Sequence, residues 1–340
     1  MDGLVEFVRT DPGAEVLVVT NMWPEPHRPV YGIHVQRQIE SLRRTGLRCD
    51  VLYVRGYRSA LAYPLAAARF LWSSVGWRRR YRLIHAYSGE TALAVRFHLG
   101  TPIVVSYCGD DLLGDRREDG SIPFASRVRS RVLRLHAELL TRTITKSAEM
   151  DRVLPAAARR RNTVVPNGVD PELFHPRPRD EVREELGWAA DERVVLFSAT
   201  KPYSAAKRLA LAERACALAA SQIGPIRLEV VSERDPATVP LLVSAADCLL
   251  STSAVEGSPN SVKEALMCNL PVVATPAGDI EELLEGVTPA WLCPPREDAL
   301  AAALVECLSE RRRSNGREVA ARLGEEAIAR RVLEVYEAAG

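Results

Sequence analysis

EVLVVT (15–20), HVQRQIESLRRTG (34–46) and CDVLYV (49–54) follow one another near the start of the chain, and reading this stretch decides the fold. The outer two segments are nearly continuous apolar runs of strand length, the pattern of strands buried on both faces. The middle segment reads as a helix. A strand, a helix and a second strand in that order predict a parallel βαβ unit. The alternation continues through LIHAY (83–87), TPIVVSY (101–107) and RTITKS (142–147), so the first lobe is expected to be a doubly wound sheet. TVVPNGVDPELFHPRPRD (163–180) is rich in proline and turn residues and reads as a linker. The strand pattern then restarts in RVVLFSAT (193–200), IRLEVVS (226–232), DCLLSTS (247–253), PVVATP (271–276) and PAWLCPP (289–295). The fold class expected is α/β, with two facing Rossmann-like, doubly wound parallel-sheet domains. The carboxyl ends of both sheets would border a cleft, where ligands of this fold class bind. The boundaries expected are 1–165 and 166–321. REVAARLGEEAIARRVLEVYEAAG (317–340) has helical periodicity, and its helix 322–340 is expected to cross back onto the first domain.

Bulk properties agree with two soluble lobes. At 340 residues the chain exceeds the size at which one core keeps growing. No apolar run approaches the roughly 20 residues that span a bilayer. The opening MDGLVEFVRTDPGAEV carries acids and no apolar h-region, which predicts no secretory signal and a cytoplasmic protein. Cysteines 49, 108, 216, 248, 268, 293 and 307 are scattered without zinc spacing and are expected to be reduced, mostly buried thiols. The chain contains no H-E-x-x-H, no phosphate-loop motif and no G-x-S-x-G, which excludes the zincin, P-loop and hydrolase readings. Net charge is +1, which argues against a dedicated nucleic-acid binder. The charge is nevertheless uneven, +8 over residues 1–175 and −7 over the remainder. A basic first lobe suits an anionic partner, either phosphate or a membrane surface.

EGSPNSVKE (256–264) follows the strand DCLLSTS directly. Ser258 and Pro259 suit an N-cap and first helical position, and Ser261 to Glu264 matches a capping box, so a capped helix with a spare surface acid is one reading. The other reading is a ligand site. The turn Gly257, Ser258, Pro259, Asn260 and Ser261 at a helix start suits a diphosphate through its backbone amides. Glu264 suits a ribose diol and Glu256 a sugar hydroxyl.

The stretch STSAVEGSPNSVKEALMCNLPVVATPAGDIEELL (251–284) closely resembles the E-x7-E region of glycosyltransferase family 4, retaining sugar-nucleotide transferases of GT-B fold. The resemblance runs nearly the whole length. NMWPEPHRPVYGIHVQRQIESLRRTG looks like the family's first glycine loop and helix, HAYSGETALAVRFHLGTPIVVSYCGDDLLG like its acceptor-side strand and turn, TVVPNGVDPELFHP like its interdomain segment, and FSATKPYSAAKRLALAERA like its donor-phosphate loop. The branch it is most similar to builds bacterial cell-surface polysaccharides.

The resemblance implies that Glu264 binds the ribose, that Glu256 contacts the donor sugar, and that Lys207 and Lys201 neutralise the diphosphate. Gly32 would let first-lobe amides approach the same phosphate, although an ordinary turn explains it equally well. Tyr31, Cys108, Gly109, Asp110 and Asp111 form the acceptor side. Cys108 stands where many relatives carry a histidine, and Asp111, ahead of Asp110, is expected to orient the acceptor hydroxyl. GDD (109–111) is not a D-x-D motif, so no obligatory metal and no cofactor beyond the co-substrate are expected. The donor expected is a UDP-sugar rather than a GDP-sugar, and the acceptor is a glycan, a lipid-linked carrier or a small molecule. Two rival readings are a GT-B sugar-nucleotide 2-epimerase and a non-catalytic sugar-nucleotide-binding protein.

ARFLWSSVGWRRRYRLI (68–84) sets Trp72 and Trp77 among five arginines, and SRVRSRVLRLHAELLTR (126–142) is a basic amphipathic helix. Such faces either lie in solvent or make peripheral contact with an anionic membrane at its inner surface.

Overall fold

The computed structural model describes residues 3–115, 117, 121–199, 203–232 and 234–340. Its chain divides into two compact units, one gathering Met1–Asp115, Ile122–Gly168 and Glu325–Gly340, the other made chiefly of Val169–Gly324.

The first unit begins with β1 (Val5–Arg9), β2 (Val16–Thr20), α1 (Ile33–Arg44), β3 (Cys49–Val54), α2 (Ala62–Arg80), β4 (Leu83–Tyr87) and α3 (Gly89–Val95). It continues with β5 (Ile103–Ser106), α4 (Asp110–Leu113), α5 (Phe124–His136), β6 (Arg142–Thr145), α6 (Ala148–Arg152), α7 (Ala156–Arg159) and β7 (Asn162–Val164). The sheet order is β1-β3-β2-β4-β5-β6-β7. All neighbours are parallel except β1, which runs antiparallel to β3. The segments read as strands are strands, because full burial on both faces demands their unbroken apolar character: every residue of β2, β3 and β4 is buried. β1 was not legible in the sequence. Its VEFVR is half-buried throughout and lies at the sheet edge.

The second unit runs α8 (Arg179–Leu186), β8 (Val194–Ser198), α9 (Leu209–Ile223), β9 (Arg227–Val231), α10 (Val239–Ala245) and β10 (Cys248–Ser251). It closes with α11 (Asn260–Met267), β11 (Val272–Ala274), α12 (Ile280–Leu284), β12 (Ala290–Leu292), α13 (Glu297–Glu310) and α14 (Gly316–Ala320). Its sheet is wholly parallel in the order β12-β11-β10-β8-β9. Separate apolar layers fill its interior. Val262, Leu266 and Ile280 belong to one, and Leu211, Leu300 and Leu304 to the other. A buried ion pair anchors this unit, with Arg183 Nη2 donating to Asp247 Oδ2 at 2.9 Å and the Val194 N–H donating to the same oxygen at 2.8 Å.

The helical periodicity of 317–340 is realised as α14 and a second helix, α15 (Glu325–Glu337), which belongs to the first unit. Ile328, Val332 and Tyr336 of α15 join Val35, Ile39 and Leu42 of α1 in one core, each such side chain contributing about 1.5–3 kcal/mol by leaving water. The start of α15 is held by Ser41 Oγ, which donates to the Glu325 carbonyl at 2.9 Å, and by an Arg44–Glu325 ion pair. The stretch 163–180 is not linker throughout: β7 takes its first residues and α8 its last two.

Candidate functional site

A doubly wound sheet opens a crevice where the strand order reverses, beyond the carboxyl ends of the strands. In the second unit that reversal lies between β8 and β10. The loops leaving these two strands carry the predicted donor residues. They are stitched together by backbone: the Ala254 N–H donates to the Ala206 carbonyl at 2.7 Å, and Thr252 Oγ1 donates to the carbonyls of Lys207 and Arg208 at 2.8 and 3.0 Å. Arg208 enters α9 with a φ of 52° and returns a guanidinium bond to the Ser253 carbonyl at 2.9 Å. This stitching presents Lys207 to Glu256, and the ammonium and carboxylate form an ion pair. Both side chains retain part of their exposure, 25% and 14%, so the pair remains reachable by a ligand.

The turn after β11 closes the other side. Gly278 has a φ of 60°, and a Cβ there would stand 2.8 Å from the Glu256 carbonyl oxygen, so only glycine lets this turn pack against the Glu256–Gly257 backbone. Asp279, the next residue, accepts a hydrogen bond from Ser258 Oγ at 2.7 Å, and the buried Lys263 ammonium donates to the same hydroxyl at 3.1 Å. Burial pushes the Asp279 carboxyl up to about 6, opposed by Ser258 and by the Lys263 charge.

These bonds correct the capping expectation. α11 begins at Asn260 with Pro259 as its N-cap, and no side-chain cap hydrogen bond closes it. Ser258 is drawn away from the helix amides by Asp279 and Lys263, and Ser261 and Glu264 lie inside the helix, where a capping box cannot form. Asn260 and Ser261 make up the first turn of α11, and Glu264 lies half-buried one turn further on. Lys201 lies outside the described residues.

In the first unit the order reverses between β2 and β4. Gly32 ends the loop after β2 with a φ of 77°, and a Cβ would stand 2.4 Å from the Met22 carbonyl carbon. Its missing side chain therefore serves the packing of that loop. Tyr31 lies under the Arg28 guanidinium, 3.8 Å from the ring centroid, and its hydroxyl donates to the Asn21 carbonyl at 3.2 Å. Burial raises the Tyr31 phenol, with the Arg28 cation opposing.

The turn after β5 is built around Asp111. Its buried carboxylate accepts the N–H groups of Cys108, Gly109 and Gly89 at 3.1, 3.0 and 3.1 Å. Burial pushes the carboxyl up to about 6, Glu90 adds to the rise, and the backbone donors oppose it. Gly109 takes a φ of 135°, and Asp110 is exposed. Cys108 is half-buried with its thiol toward the Ser106 carbonyl at 3.7 Å, and burial holds it well above the usual thiol range, so it is a neutral group. The structure thus groups Cys108, Gly109 and Asp111 within the first unit, with Tyr31 on the loop after β2, and groups Lys207, Glu256, Gly257 and Ser258 within the second.

Two polar residues beneath the acceptor-side turn escaped the sequence reading. Lys146, just past β6, is 2% exposed, and Nζ makes no hydrogen bond among the described residues. Burial draws this ammonium down to about 8 against the opposing pull of Cys108 and Asp111. His85 on β4 is wholly buried between Tyr336 and Ser106, with contacts of 2.6 and 2.8 Å, and burial holds it down to about 3, so it is a neutral imidazole. The signal available was a polar residue inside LIHAY and RTITKS, segments otherwise spent on burial. Among the described residues no group of three or more His, Cys, Asp or Glu side chains has the arrangement of a metal site.

Comparison with known proteins now decides the family. Residues 8–168 match the glycosyl transferase 4-like domain, and residues 201–310 match the family described as glycosyl transferases group 1. The chain belongs to the family 4-like glycosyltransferases. Two D-inositol 3-phosphate glycosyltransferases are similar to it. The one from Thermobispora bispora is 28% identical over 302 residues, 76% of this chain and 70% of the relative. The one from Catenulispora acidiphila is 34% identical over 125 residues, 35% of this chain and only 30% of the relative's length. Among solved structures, Anabaena HepE in complex with UDP-glucose superposes with a TM-score of 0.70 at 20% identity, covering 95% of this chain and 99% of that one. This likeness shows that the glycosyltransferase has the GT-B fold, with two Rossmann-like domains.

Proposed function

We propose that this glycosyltransferase moves a sugar from a nucleotide diphosphate sugar to an acceptor hydroxyl with retention at the anomeric carbon, in the synthesis of cell-surface polysaccharide or glycoconjugate. The observation that carries the reading is the Lys207–Glu256 pair at the switch point of the second sheet. An ammonium placed there meets the negative charge that develops on a leaving diphosphate, the part of the transition state that fixed cations stabilise most effectively. Glu256 accepts from a donor-sugar hydroxyl and Glu264 from the ribose. Lys201 is proposed as the second diphosphate cation, and the reaction as independent of metal. On the acceptor side, Asp111 fixes the Cys108–Gly109 turn through its amide bonds, and so sets where an acceptor hydroxyl is received.

HepE, of the same fold, is known with UDP-glucose, which favours a UDP-sugar as donor. The acceptor is a glycan, a lipid-linked carrier or a small molecule. A thermal-shift comparison of UDP-, GDP-, ADP- and TDP-sugars tests the donor, because a ligand at 100 times its dissociation constant stabilises by about 2.7 kcal/mol. A shift confined to a GDP-sugar overturns the donor assignment. Donor consumption that proceeds fully without any acceptor, yielding an epimer, favours the 2-epimerase reading instead.

A further inference from the structure

α5 is inside out. Its inward positions are Ser126, Ser130, Leu133 and His136, three of them polar, while Phe124, Val128, Val132 and Leu135 face outward, Phe124 with 78% of its surface exposed. A helix on a soluble domain places its apolar stripe toward the core, so an outward stripe is a surface built for something other than water. α2 shares the property. Its buried residues Ala62, Ala66, Phe70 and Ser74 are matched on the outside by Leu71, Trp72 and Val75, with Trp72 at 92% exposure. The two tryptophans read together in the sequence are separated by the structure, since Trp77 packs edge-on against Phe70 at 5.2 Å and Phe7 at 6.1 Å.

α3 lies between these helices and packs on both. The turn that follows it adds exposed Phe97 and Leu99, and the Leu99 N–H donates to Ser74 Oγ of α2 at 3.3 Å. Exposed apolar side chains are thus carried by α2, the Phe97–Leu99 turn and α5, elements that α3 joins. The two helices carry charge of one sign. Residues 61–80 and 124–137 contain eight arginines and no acid. Some of these arginines are already engaged, Arg80 with Asp50 at 2.6 Å, Arg129 with Asp115 at 3.0 Å and Glu90 at 3.6 Å, and Arg134 with the Leu112 carbonyl at 2.8 Å. Arg78, Arg79, Arg127 and Arg131 are exposed beside the apolar residues.

We infer that the outward faces of α2 and α5, with the Phe97–Leu99 turn between them, seat the first unit on an anionic lipid bilayer. Exposed aromatic and aliphatic side chains enter the boundary between headgroups and acyl chains, and flanking arginines bind anionic headgroups. The complete lack of acids on both helices selects this occupant over a second copy of the chain, which would bring arginines against arginines. Among the described residues no helix is long and apolar enough to cross a membrane, so the attachment is peripheral. It is independent of the transfer reaction.

Flotation of the whole protein with phosphatidylcholine vesicles, with and without phosphatidylglycerol, tests the inference. Binding is expected only with phosphatidylglycerol present, and it should weaken as salt is raised. Arg78→Glu with Arg79→Glu should lower that binding on the order of tenfold or more, given the contribution of each basic residue near a charged surface. Trp72→Ser with Phe124→Ser should lower it on the order of tenfold by removing the most exposed aromatic side chain of each helix, with an unchanged melting temperature. Failure of the wild type to float, or wild-type flotation by the Trp72/Phe124 variant, overturns the inference. So does light scattering that shows a wild-type dimer split by the same substitutions, which would assign the face to a second copy.

Discussion

Lys207 and Glu256 stand 49 positions apart in the chain and meet as an ion pair between the loops that follow β8 and β10. Before any donor arrives, the cation assigned to the diphosphate is thus held by the carboxylate assigned to the sugar. Lys207→Met should lower kcat for a UDP-sugar by roughly a hundred- to thousandfold, the loss typical of removing one charge-stabilising donor. Glu256→Gln should lower turnover while tightening binding of UDP alone by up to about fivefold, because a partly exposed pair releases about 0.2–1 kcal/mol when its partner is neutralised. Calorimetry with UDP and steady-state kinetics separate the two. Weaker UDP binding in the glutamine variant would refute the competition.

Asp279 makes stability depend on mild acidity. Its carboxyl is raised to about 6 in the fold from the ordinary value of 3.8, so the folded chain holds a proton that the unfolded chain has released. Stability from this group is full below the unfolded value and falls as pH climbs through about 4 to about 6. Asp279→Asn should remove this dependence, gaining on the order of 1–3 kcal/mol relative to wild type between the two ends of that window. Urea unfolding of both proteins at each end measures it.

Lys146 has the opposite sign. Its ammonium is drawn down to about 8 from 10.5, so above that point the folded chain binds fewer protons than the unfolded one. Wild-type stability should therefore rise from about pH 8 to about pH 10, by on the order of 2 kcal/mol more than in Lys146→Met. At neutral pH the variant should be the more stable protein, having lost a buried charge without a hydrogen-bond partner. Denaturant midpoints across this range decide it, and parallel slopes would count against the assignment.

Asp247 holds the second unit from within. It receives Arg183, Arg179 and the Val194 amide. Asp247→Ala leaves a buried guanidinium and a strand amide without their acceptor, and should cost about 3–5 kcal/mol. A change below about 1 kcal/mol in denaturant unfolding would show that solvent replaces the carboxylate.

Much of the fold was legible because parallel strands buried on both faces, such as VLVVT in β2 and CDVLYV in β3, must be written as apolar runs. β1 was not, since an edge strand under no such demand reads as ordinary loop sequence. At the site, Glu256 was readable from residue type and its place after a strand, whereas Lys207 came from the family resemblance, and only the structure pairs the two. The fate of the Ser258 hydroxyl was not, because its partner Asp279 lies 21 residues on, across another strand. His85 and Lys146 were missed for the same reason: what a buried polar residue does depends on neighbours brought by other strands. α5 is a subtler case. Periodicity gives a stripe of Phe124, Val128 and Val132, but only the packed structure shows which way the stripe faces.

The return of α15 to α1 has a consequence for biosynthesis. The bulk of the second unit, Val169–Gly324, is one stretch of chain whose ends meet where Val169 pairs with Gly324. It can therefore finish folding on the ribosome while the first unit still waits for its final helix. Until Ile328 and Val332 emerge, Val35, Ile39 and Leu42 of α1 lack part of their cover, so the earliest-made half of the protein is the last to mature.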